Sequence, residues 1–154
     1  MGDIYASHHR DPSIVPVQIV DGVNQNGKSR IAYGVASVVA ASQVNGDKVF
    51  IGRIPSHAVL LPQSQIITEA LTGATDCDIG DANGPNALVD GQTFAAAAVI
   101  DPLSAVPFGD LANRLWQLLG YAEDPRKELE LFITFNTKST VDGDICVALQ
   151  YAVE

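Results

Sequence analysis

Apolar positions along the chain fall into short runs that predict β-strands. Between residues 53 and 81, turn-forming residues separate these runs, at Pro55, Pro62, Gly73 and Gly80. Short apolar runs between turns are typical of consecutive strands in an all-β core. We expect short strands over residues 58–61, 65–71 and 74–79. The pattern therefore predicts an antiparallel β-sandwich with this stretch at its centre.

A longer strand is predicted over residues 30–41, where bulky apolar residues alternate with alanine and glycine. This alternation gives a strand one bulky face and one flat face. The Asn45-Gly46 pair follows, and Asn-Gly favours the positive backbone angles of a tight β-turn. We therefore expect residues 48–54 to return antiparallel and form a hairpin.

The last part of the chain has the same kind of pattern. Apolar residues alternate over residues 128–136 and again over residues 145–153, and Asp142-Gly143 lies between the two stretches. A turn flanked by two alternating stretches predicts a second hairpin, with the apolar residues facing the core.

Residues 110–119 form the one segment with clear helical spacing. Leu111, Leu115 and Leu119 lie on one face of such a helix. Asp110 suits the N-cap position, and Gly120 suits the left-handed residue that ends a helix. We expect this short helix to plug the sandwich. The alanine-rich stretch over residues 92–100 is compatible with either a helix or a strand.

The first 29 residues are rich in proline, glycine and asparagine, and only Ile14–Val20 has the composition of a strand. This composition predicts an extended N-terminal arm over residues 1–29, followed by a β-sandwich domain over residues 30–154. His8 and His9 are adjacent and would point to opposite sides of an extended chain, so no metal site is expected there.

Composition and charge narrow the choice of partners. The 154-residue chain suits one domain; it is 47% hydrophobic and 18% charged, which favours a surface that contacts other proteins. Residues 54–154 carry four basic and fourteen acidic side chains, and no Lys or Arg lies between Arg53 and Arg114. Nucleic-acid binding is therefore not expected, and a basic protein partner is favoured.

Membrane insertion and secretion are also not expected from the sequence. No apolar run approaches the length of a membrane span, and residues 1–20 lack the apolar block of a signal peptide. We therefore expect the chain to be made and to remain in a cytosol before it meets its partner.

Three groups of residues have side chains of the kinds found in functional sites. Ser56 and His57 are neighbours and would face opposite ways on a strand, so no catalytic pair is expected. The acidic loop over residues 76–84 has carboxylates suited to calcium, but it lacks an EF-hand glutamate, and Asx turns are the preferred interpretation. Cys77 and Cys146 are expected in the core; a disulfide between them requires neighbouring strands and an oxidising compartment.

Several short motifs follow one another in a characteristic order. They are Gly52-Arg53-Ile54-Pro55-Ser56-His57-Ala58, Thr68-Glu69-Ala70 before Asp78-Ile79-Gly80-Asp81, Leu115-Trp116-Gln117-Leu118-Leu119-Gly120-Tyr121, Asp124-Pro125, and Gly143-Asp144-Ile145. In this order the chain resembles the auxiliary head proteins of tailed bacteriophages, the cement or decoration proteins of the capsid. The resemblance covers most of residues 30–154 and rests on structural motifs.

The resemblance implies a jelly-roll-like sandwich that binds the outside of an icosahedral phage capsid in the virion. It implies the major capsid protein as partner, self-association as a homotrimer with a homodimer as the alternative, and no catalytic, cofactor or metal residues. A carbohydrate- or ligand-binding jelly-roll module, such as a phage fibre or lectin-like head domain, is the second hypothesis. The small number of aromatic residues available to stack on sugars weighs against it.

Overall fold

The computed structural model describes residues 28–153, which form two antiparallel β-sheets packed face to face. The nine strands are β1 (Lys28–Val38), β2 (Asp47–Pro55), β3 (Val59–Leu60), β4 (Gln65–Thr68), β5 (Cys77–Gly80), β6 (Val89–Gln92), β7 (Ala98–Ile100), β8 (Glu128–Phe135) and β9 (Gly143–Val153). Residues 1–27 and 154 lie outside the described residues, and so does most of the predicted arm. Its last two residues, Lys28 and Ser29, belong to β1.

The strand order is that of a jelly roll. Sheet A has the order β1-β9-β4-β7, with β3 also paired with β9, and sheet B has the order β2-β8-β5-β6. The pairs are nested, because β1 pairs with β9, β2 with β8, β4 with β7 and β5 with β6. The predicted all-β antiparallel sandwich is confirmed.

Both predicted hairpins are wrong, although the strands themselves form. The turn before β2 is present: Gly46 has a φ of 92°, and the Asp47 amide donates to the Val44 carbonyl over 3.2 Å. However, β1 and β2 lie in different sheets, as do β8 and β9. The apolar alternation specifies which face of a strand is buried, but it does not specify the strand's partner.

The short strands cover fewer residues than predicted, and side-chain hydrogen bonds replace backbone pairing in the connection between β3 and β4. Between β3 and β4, the Ser64 hydroxyl donates to the Gln150 carbonyl and accepts from the Gln150 amide, both over 3.0 Å. These bonds attach the connection to β9 at the point where the ladder is interrupted. In the alanine-rich stretch, the strand β7 forms and no helix does.

The predicted helix over residues 110–119 is reduced to a single turn. A 3₁₀ turn covers Phe108–Asp110, and helix α1 covers only Leu115–Leu118. The N-cap is therefore Arg114, whose amide donates to Gln117 Oε1 over 2.9 Å, and the predicted Asp110 cap is wrong.

Two tertiary hydrogen bonds explain why α1 begins so late. The Leu115 amide donates to the Ala58 carbonyl over 2.8 Å, and the Trp116 amide donates to the Ser56 carbonyl over 3.0 Å. Because the loop after β2 takes these amides, they are not available to a helix that begins earlier.

The predicted end of the helix is confirmed. Gly120 has a φ of 76°, its amide donates to the Gln117 carbonyl over 3.1 Å, and the Tyr121 amide donates to the Trp116 carbonyl over 3.0 Å. These two bonds form a complete Schellman motif, in which glycine avoids the strain of the left-handed conformation. Leu115 of α1 and Leu119, its C-cap, are both buried, so this turn does plug the sandwich.

The inner faces of both sheets form one apolar core. At its centre, the rings of Phe94 and Phe135 are both fully buried and meet edge to face, with centroids 6.0 Å apart. In the region that the structure describes, no helix combines the length and the hydropathy that crossing a bilayer requires.

Candidate interaction surface

The outer face of sheet A is apolar, beginning with β1. The small residues of β1 face inward, whereas Ile31, Tyr33 and Val35 face outward and are between 57% and 69% exposed. The inward residues are small because β2 lies close behind: a side chain at Gly52 would meet the Ala32 Cβ at 3.5 Å. The bulky side of β1 is therefore left on the surface.

The apolar surface continues from β1 across β9, β4 and β7 of the same sheet. Val35 pairs with Cys146 of β9, Cys146 with Ile67 of β4, and Ile67 with Val99 of β7. Ile67 and Val99 are 45% and 63% exposed. We call this surface the apolar face and define it by Ile31, Tyr33, Val35, Ile67, Val99 and Cys146. A contiguous exposed apolar row is characteristic of a protein-binding surface.

The outer face of sheet B is charged in comparison. Lys48, Arg53, Glu128 and Glu130 are exposed there, and Arg53 forms an ion pair with Glu130. Two rings lie side by side there, with centroids 6.0 Å apart: Phe132 is buried beneath Lys48, whose Nζ lies 4.1 Å from its centroid, whereas Phe50 is 64% exposed. The two faces of the sandwich thus differ in chemistry, and the apolar face is the candidate site.

A groove lies at the corner where β1 and β2 approach each other. It has a volume of about 510 Å³ and is lined by Tyr33, Gly34, Phe50, Ile51, Gly52, Arg53 and Glu130. A bulge in β2 between Phe50 and Gly52 leaves the Phe50 ring exposed beside it. The groove therefore lies between Tyr33 of the apolar face and the exposed Phe50 ring of sheet B.

The Ser56-His57 pair does not form a catalytic arrangement. Ser56 is fully buried, and its hydroxyl donates over 2.5 Å to Asp124 Oδ1. This bond, followed by one from the Arg126 amide, lowers the pKa of Asp124. The hydroxyl proton is directed to a carboxylate that stays ionised, which ties the loop after β2 to the segment before β8.

The acidic loop over residues 76–84 uses its carboxylates within the protein. Asp81 Oδ1 accepts from the Asn83 and Gly84 amides over 2.9 and 3.0 Å, which is the expected Asx turn. Asp78 Oδ1 accepts from the Gly91 amide, and Asp78 Oδ2 accepts from Asn136. Among residues 28–153, no group of three or more His, Cys, Asp or Glu side chains is arranged to hold a metal ion. His8 and His9 lie outside the described residues.

The two cysteines have different environments, and both are free thiols. Cys77 is fully buried in sheet B, and burial, followed by the charges of Asp76 and Asp78, raises its pKa to about 12. Cys146 is half-buried in the apolar face of sheet A, so the prediction of a core position is correct only for Cys77. A hydrogen bond between Cys146 and Tyr33 raises the pKa of the Tyr33 hydroxyl.

The apolar face was not identified from the sequence. Its signal was present, because the alternation of bulky residues with alanine and glycine over residues 30–41 leaves one side of β1 too small to fill a core. Which side would be buried depends on β2, and that contact is visible only in the folded chain.

Comparison with solved structures shows what the fold is similar to. No known protein family matches the sequence, and no curated protein matches it either. A chain of the cyanophage Pam1 capsid asymmetric unit has a similar structure, with a TM-score of 0.58 and 17% sequence identity. The match covers 94% of this chain and 100% of that chain. At this identity the similarity concerns the fold, which both chains share over nearly their whole length.

Proposed function

We propose that this chain is a structural protein of a phage virion, and specifically a cement or decoration protein on the outside of an icosahedral capsid. The observation that carries the proposal is the apolar face, which crosses β1, β9, β4 and β7 of sheet A. The fold is similar to that of a chain from a cyanophage capsid asymmetric unit, which supports this setting.

The proposed partner is the major capsid protein. A sheet face is broad and nearly flat, so it suits contact with the joined surfaces of neighbouring shell subunits. The apolar face supplies the buried area, because apolar surface removed from water contributes about 25 cal/mol per Å² before the costs of association. The charged outer face of sheet B remains in water and keeps the bound protein soluble.

We also propose that the chain acts as a homotrimer, with a homodimer as the alternative. The support is a set of exposed apolar side chains outside the apolar face, such as Val39 and Phe50, which one small chain leaves uncovered. A trimer would match the three-fold positions of an icosahedral shell and present three apolar faces at once. Light scattering at high concentration tests this, and a strict monomer would contradict it.

We further propose that the chain catalyses no reaction, uses no cofactor and binds no nucleic acid. Its support is that the Ser56-His57 pair has its serine buried and hydrogen-bonded to Asp124. A second support is that the chain carries a formal net charge of −9, which opposes binding to phosphate backbones.

The test is coexpression with a major capsid protein encoded nearby. We expect this chain to copurify with the assembled shells and to raise the temperature at which they fail. A ligand that binds only the assembled state adds about 2.7 kcal/mol per site at a hundredfold excess over Kd. A chain that stays soluble beside intact shells, while binding a defined glycan on an array, would support the lectin hypothesis in place of this one.

A further inference from the structure

Strand β1 is at the edge of sheet A, and within residues 28–153 no strand pairs with its outer side. An unpaired edge strand presents a row of free amides and carbonyls that can accept another strand. Strand β1 has eleven residues, so this free edge is long.

The hydrogen bonds of β9 show which residues of β1 direct their amides and carbonyls to the free edge. Gln150 directs both its amide and its carbonyl toward the connection between β3 and β4, where Leu61 and Ser64 contact it. Directions alternate along an antiparallel strand, so the odd-numbered residues of β9 point toward β1. Their partners on β1, such as Ala32 opposite Leu149, are even-numbered.

The odd-numbered residues of β1 therefore direct their amides and carbonyls to the free edge. They include Ile31, Tyr33 and Val35, whose side chains also form the β1 part of the apolar face. A strand added to this edge would pair with their backbone and place its own side chains beside theirs.

We propose that Ile14–Val20 of the same chain adds to this edge as an antiparallel strand. The segment lies outside the described residues. It is the only run before β1 with the composition of a strand, and it contains Ile14, Val15, Val17, Ile19 and Val20. Chain length favours this occupant, because only residues 21–27 separate the segment from the start of β1.

The position of Pro16 determines which side of the segment pairs. Proline has no amide hydrogen and is accepted in a strand only where that position faces solvent. The backbone amides and carbonyls of the even-numbered residues in the segment therefore point away from β1. The amides of Val15, Val17 and Ile19 face it, which matches the odd-numbered free groups on β1.

The connector sets the register. With all seven residues 21–27 in the connection, Val20 lies opposite Lys28. A seven-residue connection places Val17 opposite Ile31 and Val15 opposite Tyr33. Closing so short a loop costs less entropy than recruiting the segment from another molecule, so pairing within one chain is favoured.

The added strand would also fill the corner between the sheets. Val15 and Val17 would extend the apolar face beside Tyr33 and Ile31. The even-numbered side chains would point toward the groove beside Phe50, and Pro16 suits that position because it is apolar. This inference does not depend on the proposed function, since it concerns how one chain completes its own sheet.

Two proline substitutions in the full-length chain test the proposal by amide hydrogen exchange. Val17→Pro removes an amide that the proposal pairs with β1, whereas Gln18→Pro removes one that it places in solvent. In the unmodified chain we expect the Ile31 and Tyr33 amides to be protected. Val17→Pro should accelerate their exchange by about tenfold or more, and Gln18→Pro should leave it nearly unchanged. The Ala32 and Gly34 amides face β9 and should stay protected in all three proteins, which shows that the sandwich remains folded.

Three results would overturn the proposal. The first is fast exchange of the Ile31 and Tyr33 amides in the unmodified chain. The second is an equal effect of the two substitutions. The third comes from mixing isotope-labelled Val17→Pro protein with unlabelled unmodified chain: if protection returned at Ile31 and Tyr33, the strand would come from another copy.

Discussion

The hydroxyl of Tyr121 donates a 2.6 Å hydrogen bond to Asp81 Oδ2, and the Asp81 side chain belongs to a residue only 3% exposed. The other oxygen of Asp81 accepts from the amides of its own loop. Since Tyr121 directly follows the Gly120 that ends α1, this bond joins the end of the helix to the loop after β5. Two segments that lie 40 positions apart are thereby held together.

Replacement of Tyr121 with phenylalanine should destabilise the fold. The substitution keeps the ring and removes one donor from a nearly buried carboxylate. We expect a loss of about 1–2 kcal/mol in the free energy of unfolding, because hydrogen bonds to charged groups are stronger than neutral ones. Urea denaturation measures this, and an unchanged midpoint would contradict the role assigned to the bond.

The same pair predicts a loss of stability in alkali. The bond to Asp81, then burial, raises the pKa of Tyr121 from 10.0 to about 12. A group whose folded pKa is raised contributes its full stability below the unfolded pKa and loses it as the pH rises through the folded pKa. Stability should therefore fall between about pH 10 and 12, and the fall should be smaller in Tyr121→Phe. Equal profiles for the two proteins would contradict this.

Features set by neighbouring residues could be predicted, and features set by distant ones could not. Gly120 was correctly predicted to end the helix because a Schellman motif involves only the last turn. The partner of β1 was predicted wrongly because Asn45-Gly46 forms its turn equally well between two sheets. The bond from Ser56 to Asp124 crosses 68 positions and has no sequence signal.

In the candidate site, too, local features could be predicted from the sequence and long-range ones could not. The alternation over residues 30–41 correctly predicted a strand with one bulky side. The burial of its other side depends on Gly52 of β2, which approaches Ala32 from the opposite sheet. Side-chain size along one strand cannot reveal how close the facing sheet will lie.

The substitution Phe94→Ala should be among the most destabilising single changes. Its ring is fully buried against Phe135, and a large-to-small change at such a site costs about 3–5 kcal/mol. Phe108→Ala is the matched control, because Phe108 is 92% exposed. Chemical denaturation of both variants measures the difference, and a similar loss in the two would contradict the placement of the core.

The two thiols should differ in reactivity, and only one should report on docking. Cys77 is fully buried with a raised pKa, so it should not react with a thiol reagent in the folded protein. Cys146 is partly accessible within the apolar face and should react. Mass spectrometry counts the modified thiols. Addition of shells should slow modification of Cys146, and an unchanged rate on fully occupied shells would place the contact elsewhere.

The most direct test of the proposed docking through the apolar face is cosedimentation of two lysine variants with assembled shells. Val99→Lys places a charge on the apolar face, whereas Val44→Lys makes the same change at an exposed site in the turn before β2. Both should fold with stabilities within about 0.5 kcal/mol of the unmodified chain, because both sites are on the surface. We predict that Val99→Lys loses most of its binding, whereas Val44→Lys binds as the unmodified chain does, at low and at moderate salt. Full binding of Val99→Lys, or an equal loss in both variants, would contradict docking through the apolar face.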